Sequence, residues 1–256
     1  MKIVVKIGTS TLAHATGRLN IKRIEQLCKV LSDLKNAGHE IILVSSGAIG
    51  MGVGKLGLTA RPRDTAGKQA AAAVGQCELM YTYDKLFSEY NHTVAQILLT
   101  ADDLRRADRH QNFENTMSRL LELSVLPIIN ENDTVATEEI EIGDNDTLAA
   151  IVAESVKADL LILLSDINGL YTADPHKNAE ASLISDVYAL DEQILSLGGS
   201  AGSSLGTGGM ATKLRAAQIA TEAGCDMVIA NGAAPEALYR IAEGEAVGTR
   251  FHAKGE

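Results

Sequence analysis

Val125-Leu126-Pro127-Ile128-Ile129 is an apolar run that ends abruptly in Asn130-Glu131-Asn132-Asp133. A short run without polar alternation fits a strand buried on both faces, the habit of parallel sheets. Short polar side chains placed straight after such a strand are costly unless something hydrogen-bonds them. A second knot follows shortly, Gly143-Asp144-Asn145-Asp146. In open α/β sheets, ligands sit in the crevice beyond the carboxyl ends of the strands. The Asn and Asp side chains and backbone amides of both knots can grip a small molecule carrying an ammonium or a carboxylate.

Working outward, similar apolar runs occupy 3–7, 41–44, 94–99, 160–164 and 227–230. Helical patterns lie between them. Ile21, Ile24, Leu27, Cys28, Leu31 and Leu34 follow helical spacing, with Asn20 as N-cap and Gly38 just past the end. Segments 66–90, 112–123, 148–156 and 210–223 read likewise. Residues 135–142 alternate and suggest an exposed hairpin between the two knots. The glycine- and serine-rich stretch 198–209 reads as a mobile loop within the domain. Strands alternating with helices predict a three-layer α/β/α sandwich with a mostly parallel central sheet. We expect one domain over 1–256, with a division near 150 into an amino-terminal lobe (1–150) and a carboxyl-terminal lobe (151–256).

Composition narrows the function. With 46% hydrophobic residues the chain can bury a sizeable core. Tryptophan is absent and aromatics make up 4%, so base-stacking platforms are not expected. A net charge of −10, from 33 acidic against 23 basic residues, disfavours non-specific nucleic-acid binding; an anionic ligand then needs a locally positive pocket. Cys28, Cys77 and Cys225 lie far apart with no metal-ligand spacing, and read as buried reduced thiols of a cytoplasmic protein. Met1-Lys2 leads at once into the first apolar run, so no signal peptide is expected, and no apolar stretch approaches the length of a membrane span.

Several strand ends carry chemistry. Lys6-Ile7-Gly8-Thr9-Ser10 puts a lysine at the end of the first run, with a glycine that lets backbone amides approach a phosphate. By itself a strand-capping surface lysine is an equal reading. Ser45-Ser46-Gly47-Ala48 opens a helix after the second run; helix N-termini bind anions, but taken singly this motif reads as a plain serine N-cap. Gly52-Val53-Gly54-Lys55-Leu56-Gly57 has the G-x-G-x-x-G spacing but lies beyond the strand-to-helix turn that a dinucleotide site requires, and reads as a flexible connection. Gly206-Thr207-Gly208-Gly209-Met210-Ala211-Thr212-Lys213 is not a P-loop, since Lys213 follows the threonine. It still supplies free amides, a helix N-terminus and a lysine, which is phosphate-binding chemistry. Leu164-Ser165-Asp166 and the turns of 168–175 could wrap a base or ribose, or be ordinary turn punctuation. Arg105, Arg106, Arg109 and His110 beside Asp102, Asp103 and Asp108 read as a mutually paired, solvated face. The histidines show no metal-ligand spacing, and no Ser/His/Asp or Cys/His arrangement suggests itself.

Together, residues 5–10, 44–49, 130–133, 143–146 and 206–213 resemble the amino-acid kinase family, over about 3–252 and with the motifs in order. The resemblance is to the branch acting on glutamate. It implies the fold of that family and phosphorylation of the L-glutamate side-chain carboxylate by ATP with Mg²⁺, giving L-glutamyl 5-phosphate, the first step of proline biosynthesis. Kinases acting on acetylglutamate, aspartate, carbamate or UMP are the alternatives within the fold, and a non-catalytic nucleotide- or amino-acid-sensing module is the alternative outside enzymology. The acidic knots favour a free amino group over an acetylated one.

By motif match, Lys6, Ser165, Asp166, Thr207, Gly208, Gly209, Met210, Ala211, Thr212 and Lys213 would bind ATP. Ser46, Asp133 and Asn145 would bind glutamate, with Asp133 and Asp144 candidates for its ammonium. Lys6 and Lys213 would neutralise charge on the transferring phosphoryl group, and Asp146 would orient them. No metal-ligating residue is singled out: Mg²⁺ would rely on ATP oxygens and water, with few protein ligands. Ser165 stands where a threonine is common in the family, a change that keeps the hydroxyl. Many members carry a further C-terminal domain of the kind found in RNA-modifying enzymes, and the expectation here is a kinase core without it. A homo-oligomer and feedback by proline are further expectations.

Overall fold

In a computed structural model that describes residues 1–14, 18–135, 144–175, 177–178, 180–199 and 209–254, the strands are β1 (Lys2–Ile7), β2 (Glu40–Ser45), β3 (Val94–Leu99), β4 (Leu126–Glu131), β5 (Leu160–Ser165), β6 (Asp186–Val187), β7 (Asp226–Asn231) and β8 (Thr249–Phe251). The helices are α1 (Thr9–Leu12), α2 (Ile21–Asn36), α3 (Ala48–Lys55), α4 (Thr65–Ser88), α5 (Ala101–Arg105), α6 (Ala107–Glu122), α7 (Asn145–Ser155), α8 (Glu192–Ser196), α9 (Met210–Glu222) and α10 (Ala237–Ala242). One sheet runs in the order β3-β4-β2-β1-β5-β7-β8-β6. The pairings are parallel except β7 with β8. The carboxyl ends of β4, β2, β1, β5 and β7 therefore share one edge. Every apolar run read from the sequence is a strand of this sheet.

The period-2 alternation of the strands sorts side chains between two cores. Val4, Ile42, Val44, Ile129, Leu161 and Leu163 face one layer, which includes Met117 of α6, Leu148 and Val152 of α7 and Leu214 of α9. Ile3, Val5, Ile7, Ile41, Leu43, Ile128, Ile162 and Leu164 face the other, with Leu27 and Leu31 of α2, Leu79, Tyr83 and Phe87 of α4 and Leu238 of α10. This is the three-layer sandwich expected. The same alternation decides where polar strand-end residues go. Lys6 shares the parity of Val4 and points toward α7 and α9; Ser45 and Asn130 share the parity of Leu43 and Ile128 and point toward α4.

Helix boundaries follow local chemistry. Asn20 accepts from the Arg23 amide at the start of α2, and Gly38 just beyond its end has φ +95°. Asp64 caps α4 through the Gly67 amide, and Asp144 caps α7 through the Thr147 amide. Two sequence readings are corrected. The stretch 52–55 is helical, the end of α3, rather than a flexible connection. Gly52 serves packing: a Cβ there would lie 1.8 Å from the Ala71 carbonyl oxygen, and one on Gly75 of α4 only 1.7 Å from that of Ala48. α3 and α4 thus touch backbone to backbone. Cys77 is exposed, whereas Cys28 and Cys225 are buried as expected.

α6 begins at Ala107, earlier than the pattern from 112 suggested, because extended Arg106 (ψ 118°) ends α5 and α6 starts at once. Of the basic cluster there, Arg106 pairs with Asp108 and Arg109 with Asp103 and Asp102 as expected, whereas His110 turns to the Leu104 carbonyl and the Ser155 hydroxyl. The hairpin expected at 135–142 and the loop at 198–209 fall largely outside the described residues. Among the described residues no helix is long and apolar enough to cross a membrane.

Candidate active site

Three charged side chains from three elements meet in the layer above the carboxyl end of β1. Lys6 comes from β1, Asp146 from the first turn of α7, and Lys213 from the first turn of α9. Lys6 Nζ lies 2.6 Å from Asp146 Oδ1, and Lys213 Nζ donates to Asp146 Oδ2 at 2.9 Å. Thr212 Oγ1 reaches the same Oδ2 at 3.2 Å and the Gly209 carbonyl at 2.8 Å. Asp146 is fully buried, and Lys6 and Lys213 are only 8% and 4% exposed. Burial alone pushes the Asp146 carboxyl up; the ammonium groups of Lys6 and Lys213 and their hydrogen bonds outweigh this and hold it below the usual carboxylate range. Its place in the first turn of α7 adds the favourable pole of the helix dipole. Two ammonium groups thus flank the Asp146 carboxylate, with the Asp144 carboxyl close enough to interact with Lys6 and Asp146, in an otherwise acidic protein. The array can hold and neutralise phosphoryl oxygens.

The neighbouring wall is polar and neutral. Asn145 Nδ2 donates to Ser46 Oγ at 2.7 Å and to Asn130 Oδ1 at 3.0 Å, with the Ser45 carbonyl at 3.4 Å. Asn130 Oδ1 also accepts from the Glu131 amide at 2.9 Å, and its Nδ2 donates to Gln76 Oε1 on α4 at 3.0 Å. Beneath, Ser45 Oγ and the Tyr83 hydroxyl are 2.8 Å apart and buried. Gly47 has φ +108°, a left-handed conformation suited to glycine, and lets the chain turn from Ser46 directly into α3. The two knots of the sequence are thereby joined: Asn130 of the first bonds Asn145 of the second.

Asp144 caps α7, Oδ1 accepting from the Thr147 amide at 2.8 Å and Oδ2 from its hydroxyl at 3.2 Å, which leaves each oxygen able to accept again. Its carboxyl is raised, chiefly by burial, with the charge of Asp146 adding to the effect. Asp133 lies half-buried in the turn after β4.

Gly209 is the N-cap of α9, and having no side chain it gives the helix no side-chain cap; a helix N-terminus of this kind favours an anion. Met210 is half-buried and Ala211 exposed. Thr207 and Gly208 lie outside the described residues. Ser165 closes β5 and donates to the exposed carboxylate of Asp166 at 3.1 Å. Asn231 at the end of β7 donates to Asn168, which donates to the Tyr171 hydroxyl, a polar shelf beside them.

Sequence reasoning missed Gln76, Tyr83 and the role of Asn130 as a link. A signal for the first two exists. Ala72, Gln76, Leu79, Tyr83 and Phe87 form one helical stripe, and two polar groups in a core stripe need partners.

A sequence model of the amino acid kinase family matches residues 1–231. Among curated relatives, the glutamate 5-kinase of Clostridium tetani is 56% identical over 251 residues, covering 98% of this chain and 94% of that protein. That of Clostridium acetobutylicum is 54% identical over 255 residues, covering 100% and 96%. That of Herpetosiphon aurantiacus is 55% identical over 98% of this chain, which spans 68% of that longer protein. Among solved structures, the T. acidophilum isopentenyl phosphate kinase product complex superposes with TM-score 0.67 at 18% identity, covering 98% of this chain and 100% of that one. Carbamate kinase from Giardia lamblia bound to AMP-PNP gives 0.68 at 16%, covering 99% and 98%. These two share the fold. The chain belongs to the amino acid kinase family.

Proposed function

We propose that this chain transfers the γ-phosphoryl group of ATP to the side-chain carboxylate of L-glutamate, yielding L-glutamyl 5-phosphate and ADP. In proline biosynthesis this is the first step. The observation that carries the reading is the buried Lys6–Asp146–Lys213 array set against the neutral Asn145–Ser46 wall: a phosphate-neutralising centre adjoining a pocket for a small polar acceptor. The names of relatives more than 50% identical over nearly the whole chain support glutamate as that acceptor.

In this reading, Ser46, Asn145, Asp133 and Asp144 hold glutamate. Lys6, Ser165, Asp166 and residues 207–213 hold ATP. A glutamate side chain has a reference pKa of about 4.3, so it is already ionised at neutral pH and needs no general base. One carboxylate oxygen attacks the γ-phosphorus as the bond to the ADP oxygen breaks. Positioning in line and neutralising the equatorial oxygens are then the whole task. Lys6 and Lys213 supply the charge; Asp146 fixes both ammonium groups before substrate arrives, which avoids reorganisation in the transition state. The nucleotide is read as MgATP. Mg²⁺ would be held mainly by phosphate oxygens and water, since it keeps much of its hydration, while both oxygens of Asp146 are engaged by lysines. The amino-terminal lobe (1–150) is read as the acceptor half and 151–256 as the nucleotide half, in a cytoplasmic homo-oligomer.

The test is ADP release with hydroxylamine trapping of the acyl phosphate, across glutamate, N-acetylglutamate, aspartate, carbamate, UMP and isopentenyl phosphate. Glutamate should turn over fastest. Faster turnover on another acceptor would sink the assignment, and no turnover on any would favour a sensing module. Proline, as pathway end product, is read as a feedback ligand at or near the glutamate pocket; a glutamate saturation curve unmoved by millimolar proline would refute that.

A further inference from the structure

The acceptor wall ends not at the substrate but in the interior, on α4. Following it inward, each amide has its orientation set by the next. The Glu131 backbone N–H can only donate, so the oxygen of the Asn130 amide must face it, as it does at 2.9 Å. That same oxygen takes the hydrogen of Asn145 Nδ2 at 3.0 Å. The Asn130 nitrogen is thereby turned toward α4, where it would be a buried donor without an acceptor if Gln76 Oε1 were not 3.0 Å away. Asn130 is 2% exposed and Gln76 7%. At the other end, with Nδ2 of Asn145 committed to Asn130 and Ser46, its Oδ1 is left buried and without a partner among the described residues.

We propose that Gln76 is a positioning residue for the acceptor site: it locks the orientation of the Asn130 amide, and through it presents the oxygen of Asn145 to a donor group of the substrate. The inference rests on the glutamate-kinase reading above, in which the α-ammonium supplies that donor. Gln76 touches no reacting atom. Its place is held by the backbone contact of α3 with α4, where Gly75 immediately precedes it and admits no Cβ against the Ala48 carbonyl. Since α3 begins directly after Ser46-Gly47, the helix pair fixes both Gln76 and Ser46 relative to Asn145. Losing the Gln76 acceptor strands the Asn130 NH₂ as a buried donor, so the Asn130 side chain is pulled between the Glu131 N–H that holds its oxygen and the search for a new acceptor. Its bond to Asn145 Nδ2 loosens, and the Asn145 amide keeps only Ser46 and the Ser45 carbonyl to fix it.

The experiment compares steady-state kinetics of the full chain with Gln76→Met, which keeps the length and removes the acceptor, and Gln76→Glu, which keeps an acceptor oxygen in either protonation state. Gln76→Met should raise the KM for glutamate about tenfold, while kcat and the KM for ATP stay within about twofold. Gln76→Glu should restore the glutamate KM to within about threefold of the parent. A glutamate KM unchanged in Gln76→Met, a matching loss for ATP, or a Gln76→Glu variant as impaired as Gln76→Met each overturns the inference. If Gln76→Met does not fold, Gln76→Leu is read by the same criteria. A parent enzyme inactive on glutamate overturns both the reading and the inference, and differs by failing before any substitution is made.

Discussion

Replacing Asp146 with Asn tests the centre most directly. In the parent, one oxygen meets Lys6 at 2.6 Å while the other meets Lys213 at 2.9 Å and Thr212 at 3.2 Å. Asparagine is nearly the same shape but offers one acceptor oxygen. Its NH₂ would face one of the two ammonium groups, donor against donor. Since all three parent groups are buried, the uncompensated charge cannot be made good by water. Removing one partner of a buried ion pair costs about 3–5 kcal/mol, which for a chain of this size lowers Tm by about 6–20 °C. Turnover should fall about 10²–10³-fold, the usual loss when a preorganised charge-stabilising group is removed.

The pH dependence adds a signed test. The folded carboxyl of Asp146 is held below its unfolded value of about 3.9, so its stabilisation is fully present above that pH and fades as the pH falls from there through the folded pKa. The Tm gap between parent and Asp146→Asn, measured by calorimetry, should be flat from pH 8 to 5 and narrow in acid below about pH 4. A variant whose Tm and kcat match the parent at pH 7, or a gap that widens on acidification, would refute the reasoning.

Lys213→Met should lower kcat about 10²–10³-fold with the glutamate KM within about threefold, read by ADP release; parent-like turnover would remove Lys213 from phosphate neutralisation. Gly75→Ala should destabilise at the upper end of about 1–3 kcal/mol, because the obstacle 1.7 Å away is a backbone carbonyl rather than a mobile side chain, and thermal unfolding checks it. Tyr83→Phe leaves buried Ser45 Oγ its contact with the Ser46 carbonyl at 3.1 Å but removes the one at 2.8 Å, so a loss of about 1 kcal/mol, or about 2–4 °C in Tm, is expected.

Much of the sheet was legible because buried parallel strands leave a one-dimensional trace: β3 begins and ends where its apolar run does, and β5 exceeds its run only by Ser165. Helix starts were legible where a short polar side chain caps them, as Asn20 does for α2. α3 was misread because Gly52 and Gly54 look like freedom in a sequence, whereas at Gly52 the missing Cβ makes room for the Ala71 carbonyl. Cys77 was misplaced because the stripe of α4 that faces the core passes through Gln76 and Leu79 instead. The antiparallel pairing of β8 with β7 left no mark, since a three-residue strand carries no period.

The sequence by itself determined the alternation of strands and helices, the polar knots at strand ends and the two lysines, because burial and capping act over a few neighbouring residues. It also carried the motif order that marks the family. Only the tertiary structure decided that Lys6, Asp146 and Lys213 form one array and that Gln76 and Asn130 stand behind Asn145. Those partners are separated by tens to hundreds of positions and are joined by strand parity and helix placement, which exist only once the sheet has formed.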